Sequence, residues 1–218
     1  MRYYSSNLTN IAPISYQLAV TLKSLLMIEE QNRAKAYLQS SLDKFMRDNS
    51  VLSQMANSDE LTGLYNRRGY LEFAKGEISS PQNKGKHALI CYADMDNLKY
   101  VNDVFGHDEG DFSLREIASI LKEAFRNGDI IGRMGGDEFI VFAITEMESF
   151  EATIKERITA ITKRHNEAAG KPYPIDMSTG IAEFVCGPEI DIHEIIEQAD
   201  EKLYKEKAQK KLTNGSYR

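Results

Sequence analysis

The stretch Ile130-Ile131-Gly132-Arg133-Met134-Gly135-Gly136-Asp137-Glu138-Phe139-Ile140-Val141-Phe142-Ala143-Ile144 decides how this chain is read. Two apolar runs, Ile130–Gly132 and Glu138–Ile144, flank a Gly-Gly pair, so the segment is predicted to be a β-hairpin. Its tip presents two carboxylates, Asp137 and Glu138, on backbone that no neighbouring side chain crowds. Upstream, His87–Ala93 is a short apolar run with strand character that leads into Asp94-Met95-Asp96-Asn97-Leu98-Lys99. A carboxylate at the end of a buried strand is costly unless something positive meets it. Hard oxygen donors of this kind suit Mg²⁺, which is held by one or two carboxylates together with phosphate oxygens.

Outward from these two segments, helix-like and strand-like pieces alternate. Helices are predicted over Arg67–Ile78, Asp108–Phe125, Phe150–Ala169 and Ile192–Ala208, and a strand over Ile175–Val185, with Ser79–Lys86 a loop of turn formers. Strands interleaved with helices, plus one hairpin, predict an α/β (α+β) fold with a mixed sheet flanked by helices. Gly106-His107-Asp108-Glu109-Gly110-Asp111 reads as a loop opening the next helix, with Asn102 just before it. Amides near a helix N-terminus favour anions, and Asn or Asp side chains can read a base edge.

Residues 1–57 differ from the rest. They carry six basic and four acidic side chains, net +2, which leaves −8 on residues 58–218 of a 218-residue chain whose net charge is −6. Ile11–Pro13 read as a short loop. From Ser15 the sequence turns helical, with apolar residues at Leu18, Leu22 and Leu25 and again at Leu38, Leu42, Phe45 and Leu52. The polar stretch Glu29–Lys35 interrupts the stripe, and Asn49 sits on it, so a bent or two-part helix is expected. Two readings stand: a helix folded back on its own domain, or a parallel stalk that pairs two subunits.

Composition excludes several classes. Apolar residues make up 42% and charged residues 28%, a globular balance rather than a disordered one. An acidic chain without clustered Lys and Arg is unsuited to sequence-independent nucleic-acid binding. No apolar run is long enough to span a membrane, and the N-terminus lacks the features of a secretory signal. Cys91 and Cys186 form neither a disulfide framework nor a metal motif, and both read as apolar residues in strands, so a reducing, cytoplasmic setting is expected. Asp94-Met95-Asp96 does not open a calcium loop, because Lys99 stands where the glycine is needed and Phe105 where the closing Glu is needed. His193-Glu194 is not a zinc motif, since Glu197 replaces the second His.

Gly135-Gly136-Asp137-Glu138-Phe139 matches the signature of the GGDEF domain, the diguanylate cyclase family of bacterial signalling proteins, which the chain resembles over about residues 57–211. The resemblance includes Asp59-Glu60-Leu61-Thr62-Gly63-Leu64-Tyr65-Asn66-Arg67-Arg68, Asp94–Lys99, Asn102-Asp103, Gly106-His107, Gly110-Asp111, Arg133, Ser178-Thr179-Gly180-Ile181 and Ala199–Tyr204. It implies a palm-like mixed sheet of the class III nucleotide-cyclase kind. It also implies two domains facing each other as a homodimer, each holding one GTP, that together make cyclic di-GMP and release two pyrophosphates. Carried over by position, Asp94, the Met95 carbonyl and Asp137 hold two Mg²⁺ ions, for which Mn²⁺ could substitute. Asn102 and Asp111 take the guanine, Lys99, Lys207 and Lys211 the phosphates, and Asp137 or Glu138 accepts the hydroxyl proton. Arg126-Asn127-Gly128-Asp129 matches the family's RxxD product-inhibition site, in which Arg126 and Asp129 bind cyclic di-GMP.

The departures are Leu98 for the usual Phe, Lys210 for the usual Gly, and Lys211 for the usual Arg, which costs the bidentate phosphate contact. The resulting division is a helical linker over 1–57, a cyclase domain over 58–211 and a tail over 212–218. Ser15–Leu26 resembles the closing helix of a GAF-type sensor, so an upstream sensor domain is expected in a longer parent, which could be membrane-associated. Two other readings are weighed beside the enzyme: a cyclic di-GMP receptor with little catalysis, and a dimeric signalling scaffold.

Overall fold

A computed structural model describes residues 8–145 and 150–214, with side chains described for residues 14–46, 56–145 and 150–212. The chain divides into two units, residues 1–54 and 55–218. The described residues of the first form one helix, α1 (Leu8–Asn57), of which residues 55–57 are counted with the second unit. Its helical backbone runs unbroken through Pro13 and through Glu29–Lys35, so neither the loop nor the two-part helix expected from the sequence is present. Glu, Gln, Arg, Ala and Lys are all good helix formers, so the polar stretch changes the face and not the backbone. Pro13 is the sixth residue of α1, past the first turn, and costs the helix one backbone hydrogen bond without ending it. Leu18, Leu22, Leu25, Leu38, Leu42 and Phe45 are each more than half exposed. The side chains of Asn49 and Leu52, and residues 215–218 of the tail, lie outside the described residues.

The second unit holds a five-stranded sheet in the order β1-β3-β4-β2-β5, made from β1 (Tyr65–Asn66), β2 (His87–Met95), β3 (Ile130–Gly135), β4 (Glu138–Thr145) and β5 (Met177–Val185). β1 pairs with β3 in parallel and the other pairings are antiparallel, which gives the mixed sheet expected. The helices are α2 (Arg67–Ser79), α3 (Leu98–Phe105), α4 (His107–Ala124), α5 (Glu151–Ala169) and α6 (Ile192–Asn214).

Both faces of the sheet are covered. Leu89, Cys91, Ala93 and Met95 of β2 join Ile117, Leu121, Ile158 and Val141 in one core, while Ala88, Ile90 and Tyr92 join Tyr70, Ile78, Ile140, Ile195 and Leu203 in the other. A central strand buried on both faces reads as a continuous apolar run rather than as an alternating one. That is why His87–Ala93 was legible. Cys186 is buried just beyond β5 rather than within a strand. None of the described helices is long and apolar enough to cross a membrane.

Candidate active site

The central pairing brings the acidic segments together. Asp94 of β2 lies opposite Glu138 of β4 on one side and opposite Ser178 of β5 on the other. The Met95 amide donates to the Asp137 carbonyl at 3.0 Å, which ties the hairpin tip to the end of β2. The turn itself runs through Gly135 and Gly136 at φ +144° and +53°, backbone that favours glycine. Arg133 braces it from outside. Its Nε and Nη2 donate to the Gly136 carbonyl at 3.0 and 2.6 Å, and its Nη1 meets both carboxylate oxygens of Asp59 at 3.2 Å. Burial works against the Asp59 charge, but the Thr62 hydroxyl and amide and the Arg133 guanidinium hold its carboxyl below the usual range. Nearby, Asn66 caps α2 through the Gly69 amide and donates to the Ala56 and Ser58 carbonyls, while Arg68 donates to Asn57. The segment from Asp59 to Arg68 is thus a brace for the turn and for the start of the domain, a role its residue types alone did not disclose.

Asp94 is the most perturbed carboxyl of the cluster. Burial is the largest cause and raises its pKa to about 6; the Lys207 ammonium opposes this, and the carboxylates of Asp137 and Asp96 add to it. Lys207 of α6 meets Asp94 Oδ1 at 2.6 Å. Tyr92 is buried against Glu138; burial and that neighbouring carboxylate push its phenol well up. A cleft of about 370 Å³ opens here, lined by Asp94, Glu138, Tyr204 and Lys207 together with Asp200 and Glu201. Among the described residues no group of three or more His, Cys, Asp or Glu side chains is arranged to hold a metal ion. The donor set nevertheless fits Mg²⁺: one or two carboxylates already meeting a cation, with coordination left to be completed by phosphate and water.

The other expected residues fall elsewhere. Asn102 is on α3 and Asp111 on α4, two helices joined by Gly106 alone, so the expected loop over 106–111 is instead one residue followed by helix. The short helix α3 was not foreseen, because eight residues carry little periodicity. The junction folds Asn102 back against α4: a Cβ on Gly110 would stand 1.9 Å from Asn102 Oδ1, so only glycine at this position admits that side chain where it stands. Lys99 is exposed in the first turn of α3, and Lys211 is exposed near the end of α6. Arg126 and Asp129 form a tight turn between α4 and β3, in which the Arg126 amide donates to Asp129 Oδ2 at 2.7 Å. Burial raises the Asp129 carboxyl, against the pull of that amide and of the Arg126 and Arg157 charges.

Sequence reasoning gave no part to Lys210 beyond noting it as a departure, and none to Asp96. Lys210 Nζ donates to Asp96 Oδ2 at 2.8 Å, to the Met177 carbonyl at 2.8 Å and to Asp176 Oδ2 at 3.2 Å. Glu206 also went unnoticed; it accepts from the Thr179 amide at 2.9 Å and from Lys155 Nζ at 2.8 Å. Acids two positions apart, one at the end of β2 and one just past it, with lysines three positions apart on one helix, were the signal available.

The chain has known relatives. The family model for "Diguanylate cyclase, GGDEF domain" matches residues 56–213. The chain is 32% identical over 195 residues to diguanylate cyclase DgcS of Shewanella oneidensis, covering 89% of this chain and 64% of that protein. It is 36% identical over 155 residues to diguanylate cyclase DgcP of Pseudomonas aeruginosa, covering 71% of this chain and 23% of that protein. The chain therefore spans less than two thirds of the length of these relatives. Among solved structures, the coiled coil and GGDEF domain of DgcB from Caulobacter crescentus in complex with c-di-GMP is similar at a TM-score of 0.62 and 26% identity, covering 80% of this chain and 94% of that one. Diguanylate cyclase SiaD in complex with its activator SiaC, from Pseudomonas aeruginosa, gives a TM-score of 0.62 at 26% identity over 94% of this chain and 82% of that one. The braced glycine turn, the acidic strand end and the extent of the match agree, and the chain belongs to the GGDEF domain family.

Proposed function

We propose that this protein is a diguanylate cyclase that condenses two GTP into cyclic di-GMP and releases two pyrophosphates. The observation that carries the reading is the cleft in which Asp94, Glu138 and Lys207 converge beside Asp137. Asp94, the Met95 carbonyl and Asp137 would hold two Mg²⁺ ions, or Mn²⁺, which supply charge neutralisation at the attacking and leaving oxygens. Asp137 or Glu138 accepts the proton of a ribose 3′-hydroxyl as its oxygen forms a bond to the α-phosphorus of the other GTP. The bond from that phosphorus to the pyrophosphate oxygen breaks in the same displacement. Lys99, Lys207 and Lys211 offset the negative charge that builds on the leaving group. Asp111 accepts from the N1–H and the exocyclic amine of guanine, a donor pair adenine lacks, and Asn102 reads the same base.

Each domain binds one GTP in this scheme, so the unit of catalysis is a homodimer. The exposed apolar stripe of α1 supports pairing through residues 1–57, with residues 58–211 the cyclase domain and an upstream sensor as the source of input. The Arg126–Asp129 turn is the product-inhibition site: a guanidinium can pair with phosphate or the Hoogsteen edge of guanine, and a carboxylate with the N1–H.

Incubation with GTP and Mg²⁺ over a range of protein concentrations, with chromatographic resolution of products, tests the reading. Cyclic di-GMP and pyrophosphate rising faster than linearly with protein, and absent for Asp137→Ala, are expected. GTP surviving at every concentration while cyclic di-GMP binds would replace the enzyme with a receptor. No turnover and no nucleotide binding would leave a scaffold.

A further inference from the structure

Lys210 stands where the family pattern has glycine, yet it is among the most thoroughly bound side chains near the cleft. An ammonium has three donors, and here three oxygens take them: Asp96 Oδ2, the Met177 carbonyl and Asp176 Oδ2. The acceptors are themselves fixed. Asp96 accepts from Ser178 Oγ at 2.8 and 3.0 Å, the Asp96 amide donates to the Asp176 carbonyl at 2.9 Å, and Met95 pairs with Met177 in the β2–β5 register. Lys207 and Lys210 are one helical turn apart and share a face of α6, just as Asp94 and Asp96 follow each other at the end of β2. The helix is therefore fastened at two successive points, Lys207 to Asp94 and Lys210 to Asp96. Beyond the second point Lys211 and Leu212 are exposed, so among the described residues Lys210 is the last attachment of α6 to the sheet.

We propose that Lys210 is a positioning residue that clamps the end of α6 across β2 and β5 and thereby sets the reach of Lys207 and Lys211 toward the nucleotide phosphates. The proposal rests on the cyclase reading for the identity of that nucleotide. Lys210 does not touch the substrate in this scheme, because its donors are already taken. It acts by keeping the helix wall of the cleft, Tyr204 and Lys207, against Asp94 and Glu138.

The test compares the full chain with Lys210→Ala, Lys210→Arg and the milder Asp176→Asn, using a non-hydrolysable fluorescent GTP analogue with Mg²⁺, steady-state turnover, and amide hydrogen exchange without nucleotide. Lys210→Ala is expected to weaken analogue binding and raise KM by about tenfold, with a smaller change in kcat, as for other supporting contacts around a site. Amides of residues 207–212 should exchange faster. Lys210→Arg, which keeps a cation within reach of Asp96 and Asp176, should recover most of the affinity, and Asp176→Asn should show the same pattern more weakly. Unchanged exchange and unchanged analogue affinity in Lys210→Ala, even with a lowered Tm, would overturn the clamp. Should Lys210→Ala fail to fold, Asp176→Asn decides by the same criteria. Wild-type protein that neither binds nor turns over GTP would sink the cyclase reading, while the exchange comparison still decides whether the clamp exists.

Discussion

The carboxylate of Asp94 and the ammonium of Lys207 meet at 2.6 Å, joining the end of the interior strand β2 to the last helix. Burial nevertheless keeps the Asp94 carboxyl at about 6, above its ordinary range. The pair is thus not a device for stability: one partly exposed lysine only partly offsets the cost of a buried carboxylate held near Asp137 and Asp96. Asp94→Asn should abolish turnover, by about two orders of magnitude or more, because it removes a carboxylate that would hold the metal ions at the reacting phosphates. Lys207, about a third exposed, can return to water. Tm should therefore stay level or rise, and calorimetry beside a product assay checks both halves. A large fall in Tm would mean that the ion pair is structural.

The same carboxyl sets a pH dependence whose direction can be worked out. Asp94 binds its proton more tightly in the folded protein than in the unfolded chain, since its pKa is raised from 3.8 to about 6. Its contribution to stability is therefore fully present below pH 3.8 and is lost as pH rises through about 6. Denaturant titrations of the wild type and Asp94→Asn between pH 4 and pH 7, without divalent cation, isolate that contribution. The asparagine variant should gain on the wild type as pH rises. A gap between the two curves that is constant with pH would contradict this.

What was legible in the sequence is what burial and turn chemistry write there. The hairpin over 130–144 and the β2 run stood out because both faces of the sheet are covered and glycine marks the turn. β1 was missed because two residues carry no periodicity, and α3 because it is too short to show one clearly. α1 read as interrupted because the apolar stripe pauses at Glu29–Lys35, although helix propensity does not. Asp94, Asp137 and Glu138 were found as acids at strand ends, but Lys210 was noted only as a mismatch. Its partner Asp96 lies 114 positions away, a separation that only the fold closes.

Gly110→Ala tests the α3–α4 junction. The added methyl group would fall 1.9 Å from Asn102 Oδ1, the tip of a side chain that can swing away. The fold should survive, with a cost of about 1 kcal/mol from local repacking, while the placement of Asn102, proposed above to read the base, is lost. Expected is a raised KM for GTP and weaker discrimination against ATP, with kcat less affected. Competition assays with ATP check this, and unaltered discrimination would detach Asn102 from base recognition.

Arg133→Lys tests the brace behind the glycine turn. The guanidinium joins the Gly136 carbonyl to Asp59 with separate nitrogens, which a single ammonium cannot reproduce. Turnover should fall by about tenfold through misplacement of Asp137 and Glu138, with only a small drop in Tm. Product formation and thermal unfolding measured together check the split, and equal loss of both would make Arg133 a packing residue.

Deletion of residues 1–54 tests the link between α1 and catalysis. The second unit contains the whole sheet and both of its cores, so it should fold alone with native-like secondary structure. The stripe of Leu18, Leu22, Leu25, Leu38, Leu42 and Phe45 is exposed in a single chain, and pairing two copies would bury it. At about 25 cal/mol per Å² of apolar surface, even a partial seam contributes several kcal/mol to association. The truncated protein should therefore sediment as a monomer, bind GTP, and make cyclic di-GMP only at concentrations high enough to drive encounter. A fused unrelated parallel coiled coil should restore turnover. If the truncated monomer turns over at a rate proportional to its concentration, each domain catalyses alone and the dimeric scheme fails.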